Sequence, residues 1–306
     1  MMNPKVSIII LNWNGLKYTI ECLESLKKIT YPNYEVIVVD NGSEGNDADV
    51  LEKRYKGYIK LIRNKENLGF TGGNNIATRQ VLKEGKSNYI LFLNNDTKVD
   101  RDWLKELVRA ADNSGPRVGR FQSKLLSYID HRIIDSTGHK KVAGRVINRG
   151  KGQEDRGQFD KKKEIFSVRA ASALYKKEML QEIGLFDGNF FAGFEDVDLD
   201  FRANRAGWKA IFVPESIAYH KRGSTMTRDL KKFQEIGHQN QYIVVARWYS
   251  LVDKIFVSFW WIFEILVNAF KVFFKLDTPE NVSARKKIIK MRMKHLFKIW
   301  KKAIKK

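Results

Sequence analysis

The sequence predicts an α/β fold, a mostly parallel sheet flanked by helices, followed by a C-terminal amphipathic helical appendage. Three observations carry that expectation. Short β-branched runs alternate with stretches of helical period through the first third of the chain. Such alternation builds parallel sheets with right-handed crossovers. The last quarter then changes character: residues 231–306 are long helical patterns with 17 Lys/Arg against 5 Asp/Glu, +12 of a net +21. At roughly one domain per 150 residues, a chain of 306 holds one large domain or a domain plus an appendage. The expected division is 1–230 and 231–306.

Residues 6–11 form the first buried strand, and Leu16, Ile20, Leu23 and Leu26 follow at helical spacing. A second strand over 36–39 ends in Asp40-Asn41-Gly42-Ser43. A helix near 49–55 and a strand over 59–62 lead to the Gly-rich segment 67–75 and a helix to about Glu84. The strand over 89–93 ends in Asn94-Asn95-Asp96, and Asp100 and Trp103 open the next helix. In such sheets ligands lie beyond the carboxyl ends of the strands, which puts Asp40 and Asp96 on one rim.

A hydrophobic fraction of 43% and an aromatic fraction of 12% supply a core and exclude a disordered chain. The charge favours anionic partners: phosphorylated ligands, an acidic membrane surface or nucleic acid. No helix-turn-helix, zinc-finger or RNA-recognition signature accompanies it, so nucleic acid is not an expected partner. One cysteine, Cys22, excludes an intramolecular disulfide and fits a reducing compartment. The opening MMNPKVSIIILNWNG reads as a strand rather than a secretory signal.

Each polar cluster admits a structural and a functional reading. Asp40 is a turn residue, or a carboxylate accepting from a nucleotide base or ribose. Segment 67–75 is a tight connection, or a phosphate cradle at a helix N-terminus. It matches neither dinucleotide nor P-loop spacing. Asp96 is a helix-cap turn residue, or a ligand for a divalent cation that also takes diphosphate oxygens. Glu195, Asp196, Asp198 and Asp200 crowd into six residues, with Arg202 and Arg205 available as partners. Clustered carboxylates repel, so they serve salt bridges, a metal or base catalysis. His220 is a structural histidine or a ligand, and Lys221 and Arg222 beside it suit phosphate.

As an ordered set, Asn12-Trp13-Asn14-Gly15, Val39-Asp40-Asn41-Gly42-Ser43, residues 67–75, 93–96 and 194–199, and His220 resemble the family 2 glycosyltransferases of the GT-A fold. The likeness is to rhamnosyltransferase-like and galactofuranosyltransferase-like members, over residues 5 to about 228. It implies a Rossmann-like GT-A sheet and a nucleoside-diphosphate sugar donor, dTDP-rhamnose or a UDP-sugar. The acceptor would be a glycan or lipid-linked hydroxyl in cell-surface polysaccharide synthesis. It implies donor binding by Asn12, Asp40, Gly72, Asn75 and Asn95, and Mn²⁺ or Mg²⁺ held by Asp96 and His220. Asp196 corresponds to the general base of an inverting displacement, with Asn94, Glu195, Lys221 and Arg222 around it or on the acceptor side. One departure stands out: the first acid of the DxD metal motif is Asn94 here, which lowers the charge of the metal site. A sugar nucleotidylyltransferase is the rival enzyme, but its GxGTRL-type loop is replaced by Asn12-Trp13-Asn14-Gly15. A non-catalytic nucleotide-sugar or membrane-surface binding module is the other alternative. Between them, residues 138–175 read as a basic loop on the acceptor side.

Residues 255–274 (IFVSFWWIFEILVNAFKVFF) are apolar enough to span a bilayer, but Glu264, Asn268, Lys271 and Lys275 form one polar stripe. With Trp260 and Trp261, that stripe favours a helix in the membrane interface. In 285–306, Ile289, Met293, Leu296, Trp300 and Ala303 fall on one side among eleven Lys/Arg. The expectation is a cytoplasmic protein held peripherally on an anionic inner membrane face. The rival is packing onto the catalytic domain or into a homodimer through these helices.

Overall fold

A computed structural model describes residues 3–222, 230–274, 276 and 278–304. The Gly223-Ser224 pair, Lys275 and the terminal Lys305-Lys306 lie outside the described residues. The chain divides into two compact units, Met1–Lys140 with Ile147–Arg228, and Lys141–Val146 with Asp229–Lys306. The short insert 141–146 is not visible as a boundary in the sequence.

In the first unit, strands and helices alternate as β1 (Val6–Asn12), α1 (Leu16–Leu26), β2 (Tyr34–Asn41), α2 (Asp47–Arg54), β3 (Ile59–Asn64), α3 (Gly69–Glu84) and β4 (Tyr89–Asn94). There follow β5 (Thr97–Val99), α4 (Trp103–Asp112), β6 (Val118–Ser127), β7 (Ile134–Ser136), then β8 (His139–Val142) and β9 (Arg145–Asn148), whose residues 141–146 belong to the second unit, and β10 (Lys163–Ile165). The unit ends with β11 (Ser172–Lys176), α5 (Lys177–Ile183), α6 (Glu195–Arg205) and β12 (Lys209–His220). The sheet runs β10-β12-β6-β11-β4-β1-β2-β3, with β5 on β12 and β7 on β6. Strands β3, β2, β1 and β4 are parallel, as are β6 and β12. Strand β11 is antiparallel to both β4 and β6.

The central strands are fully covered on both faces, which is why they read as unbroken apolar runs. Successive side chains point to opposite faces. Ile8 and Ile10 join Leu23, Leu51, Trp103 and Leu107 under α1, α2 and α4. Ile9 joins Ala77, Met179, Leu199 and Ala203 under α3, α5 and α6.

Helix α3 begins at Gly69, earlier than the sequence implied, so Gly72 and Gly73 lie inside it rather than in a preceding loop. A Cβ on Gly73 would lie 2.2 Å from Leu11 Cδ1. The glycine lets the helix approach β1.

Helix α6 is fixed from below by a buried ion pair. Arg120 on β6 and Asp200 are both 0% exposed, with Nη1 2.8 Å from Oδ1. Asp200 Oδ2 accepts from the Val168 N–H at 2.6 Å, and Arg120 Nη2 donates to Asn204 Oδ1 and to the Trp208 carbonyl. A helix-local bridge of the expected kind joins Asp198 to Arg202, which donates to it at 3.1 Å.

The second unit holds α7 (Leu230–Trp248), α8 (Leu251–Phe273) and α9 (Pro279–Ile304). Ser250 and Asp253 form a reciprocal cap at the start of α8. Asp253 also pairs with Lys141 at 2.6 Å. Two members of the polar stripe of α8 are engaged by α9. Glu264 accepts from Arg292 and Asn268 accepts from Arg285, both at 2.7 Å. The packed face of α9 is accordingly Arg292, His295 and Ile299, while Met293, on the apolar side of the sequence pattern, is 58% exposed. Apolar periodicity gives no weight to a buried Arg–Glu pair, and here that pair orients the helix.

Removing one partner of a buried ion pair strands the other charge. Asp200→Ala is expected to lower unfolding free energy by about 3–5 kcal/mol, read by urea denaturation.

Candidate active site

Because β11 is antiparallel to β4 and β6, its first residue sits at the same edge of the sheet as their last. The carboxyl ends of β1, β2, β4, β6 and β12 and the start of β11 therefore share one rim.

On the β1–β2 side, Asn12 donates through Nδ2 to Asp40 Oδ1 at 2.8 Å and to Asp47 Oδ2 at 3.0 Å. Its Oδ1 accepts from Thr19 Oγ1 at 2.6 Å, and Thr19 in turn accepts from Asn95 at 2.9 Å. Asn12, Asp40 and Asn95 are thus one buried network. The turn chemistry expected at Asp40 is present, since the Ser43 hydroxyl donates to Oδ1 at 2.7 Å. Asn75 donates to the Phe186 carbonyl at 2.8 Å, buried, and so ties α3 to the segment leading into α6. A Cβ on Gly72 would lie 2.7 Å from Leu68 Cβ. Both residues make close packing in this structure.

On the β4–β12 side, His220 Nε2 is 3.2 Å from Asp96 Oδ1 and 3.3 Å from the Asn94 amide nitrogen. A half-turn of that amide presents its carbonyl oxygen instead. His220 Nδ1 lies 2.9 Å from Asp135 Oδ2. Asp135, on β7, also binds Arg169 Nη1 at 2.6 Å and Arg222 Nε. Burial works against its charge, but the His220 hydrogen bond and the two guanidinium groups hold its carboxyl at about 2. The Lys221 ammonium stacks over Tyr18 and Tyr128, at 4.5 and 4.7 Å from the ring centroids. Lys221 and Arg222 thus engage rings and a carboxylate of this rim.

The acidic cluster opens α6. Phe194 precedes it in the left-handed region (φ 70°), and Glu195 and Asp196 start the helix buried, at 6% and 9% exposure. Asp196 Oδ2 accepts from the Ala170 N–H at 3.3 Å and Oδ1 from Val197 at 2.8 Å. Glu195 Oε2 has no hydrogen-bond partner among the described residues. Burial raises both carboxyls, and the Asp196 charge adds to the rise at Glu195, which is pushed up to about 8.

Three consecutive residues join these clusters. Arg169 binds Asp135, the Ala170 N–H binds Asp196, and the Ala171 carbonyl accepts from Asn94 N at 3.0 Å. Neighbouring Cα atoms are 3.8 Å apart, so Asp196 and Asn94 attach one residue apart on the same strand entrance.

Sequence reasoning missed Asp135, Arg169, Thr19 and Asp47. Asp135 follows Ile133-Ile134, and Arg169 precedes Ala170-Ala171. A single charge inside an apolar run was the available signal. The basic segment expected as a loop is partly the β8–β9 hairpin, and Arg149 packs its guanidinium against Phe159 and Phe212.

No group of three or more His, Cys, Asp or Glu converges on a metal position among the described residues. The donor set available is Asp96, His220 and the Asn94 oxygen. Mg²⁺ and Mn²⁺ commonly bind one or two protein donors plus substrate phosphates, and this set fits that pattern.

The model of "Glycosyl transferase family 2" matches residues 7–184. The chain is 28% identical over 235 residues to an O-antigen biosynthesis protein of Myxococcus xanthus, covering 74% of this chain and 18% of that one. It is 23% identical over 265 residues to an N-acetylglucosaminyl-diphospho-decaprenol L-rhamnosyltransferase of Mycobacterium tuberculosis, covering 80% and 85%. Among solved structures it resembles a mannosyltransferase of Pyrobaculum calidifontis in complex with GDP-Man and Mn²⁺, with a TM-score of 0.61, 15% identity, and 97% and 88% coverage. The chain spans about a quarter or less of the length of the first curated relatives it matches.

A carboxyl raised by the fold stabilises at low pH, and that contribution is lost as pH rises through the folded value. Between about pH 6 and about pH 9 the wild-type urea midpoint should therefore fall more than that of Glu195→Gln, whose amide does not titrate. Parallel pH curves for the two proteins would refute the raised Glu195.

Proposed function

The chain belongs to glycosyl transferase family 2, and on that footing we propose that it moves a sugar from a nucleoside-diphosphate donor to a hydroxyl acceptor with inversion. The observation that carries this reading is the strand entrance 169–171, where the Ala170 N–H holds the Asp196 carboxylate and the next carbonyl holds the backbone of Asn94, whose side chain lies beside His220 and Asp96.

Asp196 is the general base. Two backbone N–H groups fix its oxygens, and burial lifts its proton affinity, so it can accept the acceptor's hydroxyl proton during attack. A single base opposite the leaving group leads to inversion. Glu195, pushed up to about 8 by burial and by the Asp196 charge, stays largely neutral at pH 7 and avoids two adjacent buried charges. Asp96, His220 and the Asn94 oxygen would hold Mn²⁺ or Mg²⁺. Such an ion, when bound, takes up the negative charge of the departing diphosphate. Asp135 occupies Nδ1 of His220 and so keeps Nε2 turned toward Asp96. Asp40 and Asn12, with Thr19 and Asn95 behind them, line the end of the rim that suits the donor base and ribose.

The donor we favour is dTDP-rhamnose or a UDP-sugar, in keeping with the rhamnosyltransferase relative. Arg169 and Arg222 surround the single carboxylate of Asp135, and Arg222 lowers the proton affinity of nearby Lys151. That cationic surplus suits an acceptor bearing phosphate, such as a lipid-linked glycan diphosphate of cell-surface polysaccharide synthesis. The corresponding workplace is the cytoplasmic face of the membrane.

The uncharged Asn94 favours one second reading, a non-catalytic nucleotide-sugar binding module. Release of nucleoside diphosphate separates the two. Asp196→Asn should cut donor turnover by about 10²–10⁴-fold while nucleotide-induced thermal stabilisation survives. A variant with wild-type turnover would remove Asp196 from the mechanism, and a wild-type protein that binds donor without releasing nucleotide would leave the module. Asp135→Asn should weaken Mn²⁺ affinity by about 10–100-fold, measured by titration of bound Mn²⁺ in the presence of UDP or dTDP.

A further inference from the structure

The second unit is built with its polar residues inside and much of its apolar surface outside. On α8 the side facing α7 and α9 carries Ser258, Glu264 and Asn268, which bond Trp300, Arg292 and Arg285. Arg292 also reaches Gln241, and His295 stacks on Tyr242. The opposite side presents Leu251, Phe259, Phe263, Leu266, Phe270 and Phe273, each between 56% and 79% exposed. At 100° per residue, the exposed apolar positions of α8 cover about half its circumference. At 1.5 Å per residue, its 23 residues make a strip roughly 34 Å long.

We propose that this face of α8 lies in the plane of an anionic bilayer, sunk into the boundary between headgroups and acyl chains. Three observations select that occupant. First, 231–306 carries 17 Lys/Arg against 5 Asp/Glu, and no acid occurs from 285 onward, which matches a negative lipid surface. Secondly, a second copy would bring the same net positive surface against itself, and like charges across an interface oppose association. Thirdly, α9 runs antiparallel along the inner side of α8, as the pairs 285–268, 292–264 and 300–258 record. A spanning α8 would drag that Lys/Arg-rich helix into hydrocarbon, where charges are strongly disfavoured. Lying flat, α8 greases the surface while α9 keeps its charges at headgroup depth. Trp260, 43% exposed with the Arg145 guanidinium 4.8 Å over its ring, suits the headgroup boundary.

This attachment is independent of the catalytic reading. The test is flotation of the full chain with vesicles of phosphatidylcholine, alone or with phosphatidylglycerol added, against a Phe259→Glu/Phe263→Glu/Leu266→Glu variant. These three side chains are exposed, so circular dichroism and nucleotide-induced thermal stabilisation should match wild type, which keeps loss of attachment separate from loss of fold or donor binding. The wild type should float about tenfold more with phosphatidylglycerol present, lose that gain in high salt, and leave cell membranes in alkaline carbonate; the variant should float about tenfold less. Equal flotation of variant and wild type would overturn the proposal. So would carbonate-resistant wild type, which indicates a spanning helix, or a lipid-indifferent wild type that dimerises through this face in sedimentation velocity.

Discussion

Antiparallel insertion of β11 between β4 and β6 governs the geometry of the whole rim. A strand entering the sheet there in the opposite sense places its first residues, not its last, among the strand ends of its neighbours. Arg169, Ala170 and Ala171 consequently meet Asp135, Asp196 and Asn94 in sequence. With β11 in the parallel sense, the acidic start of α6 and the histidine end of β12 would have no common chain segment between them. The Arg120–Asp200 pair supports the arrangement by seating α6 at the depth where the Ala170 N–H can reach Asp196.

The rim balances charge in two steps. Asn94 beside His220 is uncharged, so Asp96 is, among the described residues, the one carboxylate that meets His220 Nε2. Asp135 restores a carboxylate one bond network further out, through the imidazole of His220, and its own charge is met by two guanidinium groups. The outcome is an imidazole whose orientation is fixed by a carboxylate that two guanidinium groups hold in place.

Much of this fold could be read before any coordinates. Runs such as Val36-Ile37-Val38-Val39 are buried on both faces, and only a covered parallel strand uses that composition. Asp40 and Asp96 followed from their place at the ends of such runs, and His220 and Asp196 from the family resemblance. The short strands β5, β7 and β10 have no pattern of their own, because their hydrogen-bond partners define them. Asp135 and Arg169 were illegible for a related reason: a lone charge in an apolar run gains its meaning from partners 34 to 87 residues away. In helix α9 the apolar pattern marks Met293, which is exposed, but gives no sign that Arg292 is buried, because its partner Glu264 lies on another helix.

The six residues 141–146 belong to the second compact unit although the chain around them belongs to the first. Lys141 pairs with Asp253, and a Cβ on Gly144 would come within 2.6 Å of the Asp253 carbonyl. The polypeptide therefore passes from one unit to the other at 140/141, 146/147 and 228/229. No single scission separates such a pair into self-sufficient parts. A fragment ending at 228 would keep a hairpin tip shaped for a helix it no longer possesses, and the helical fragment would lack the lysine that meets its capping aspartate. Gene fusion, shuffling or limited proteolysis at the obvious junction would thus yield pieces that are each missing something the other retains.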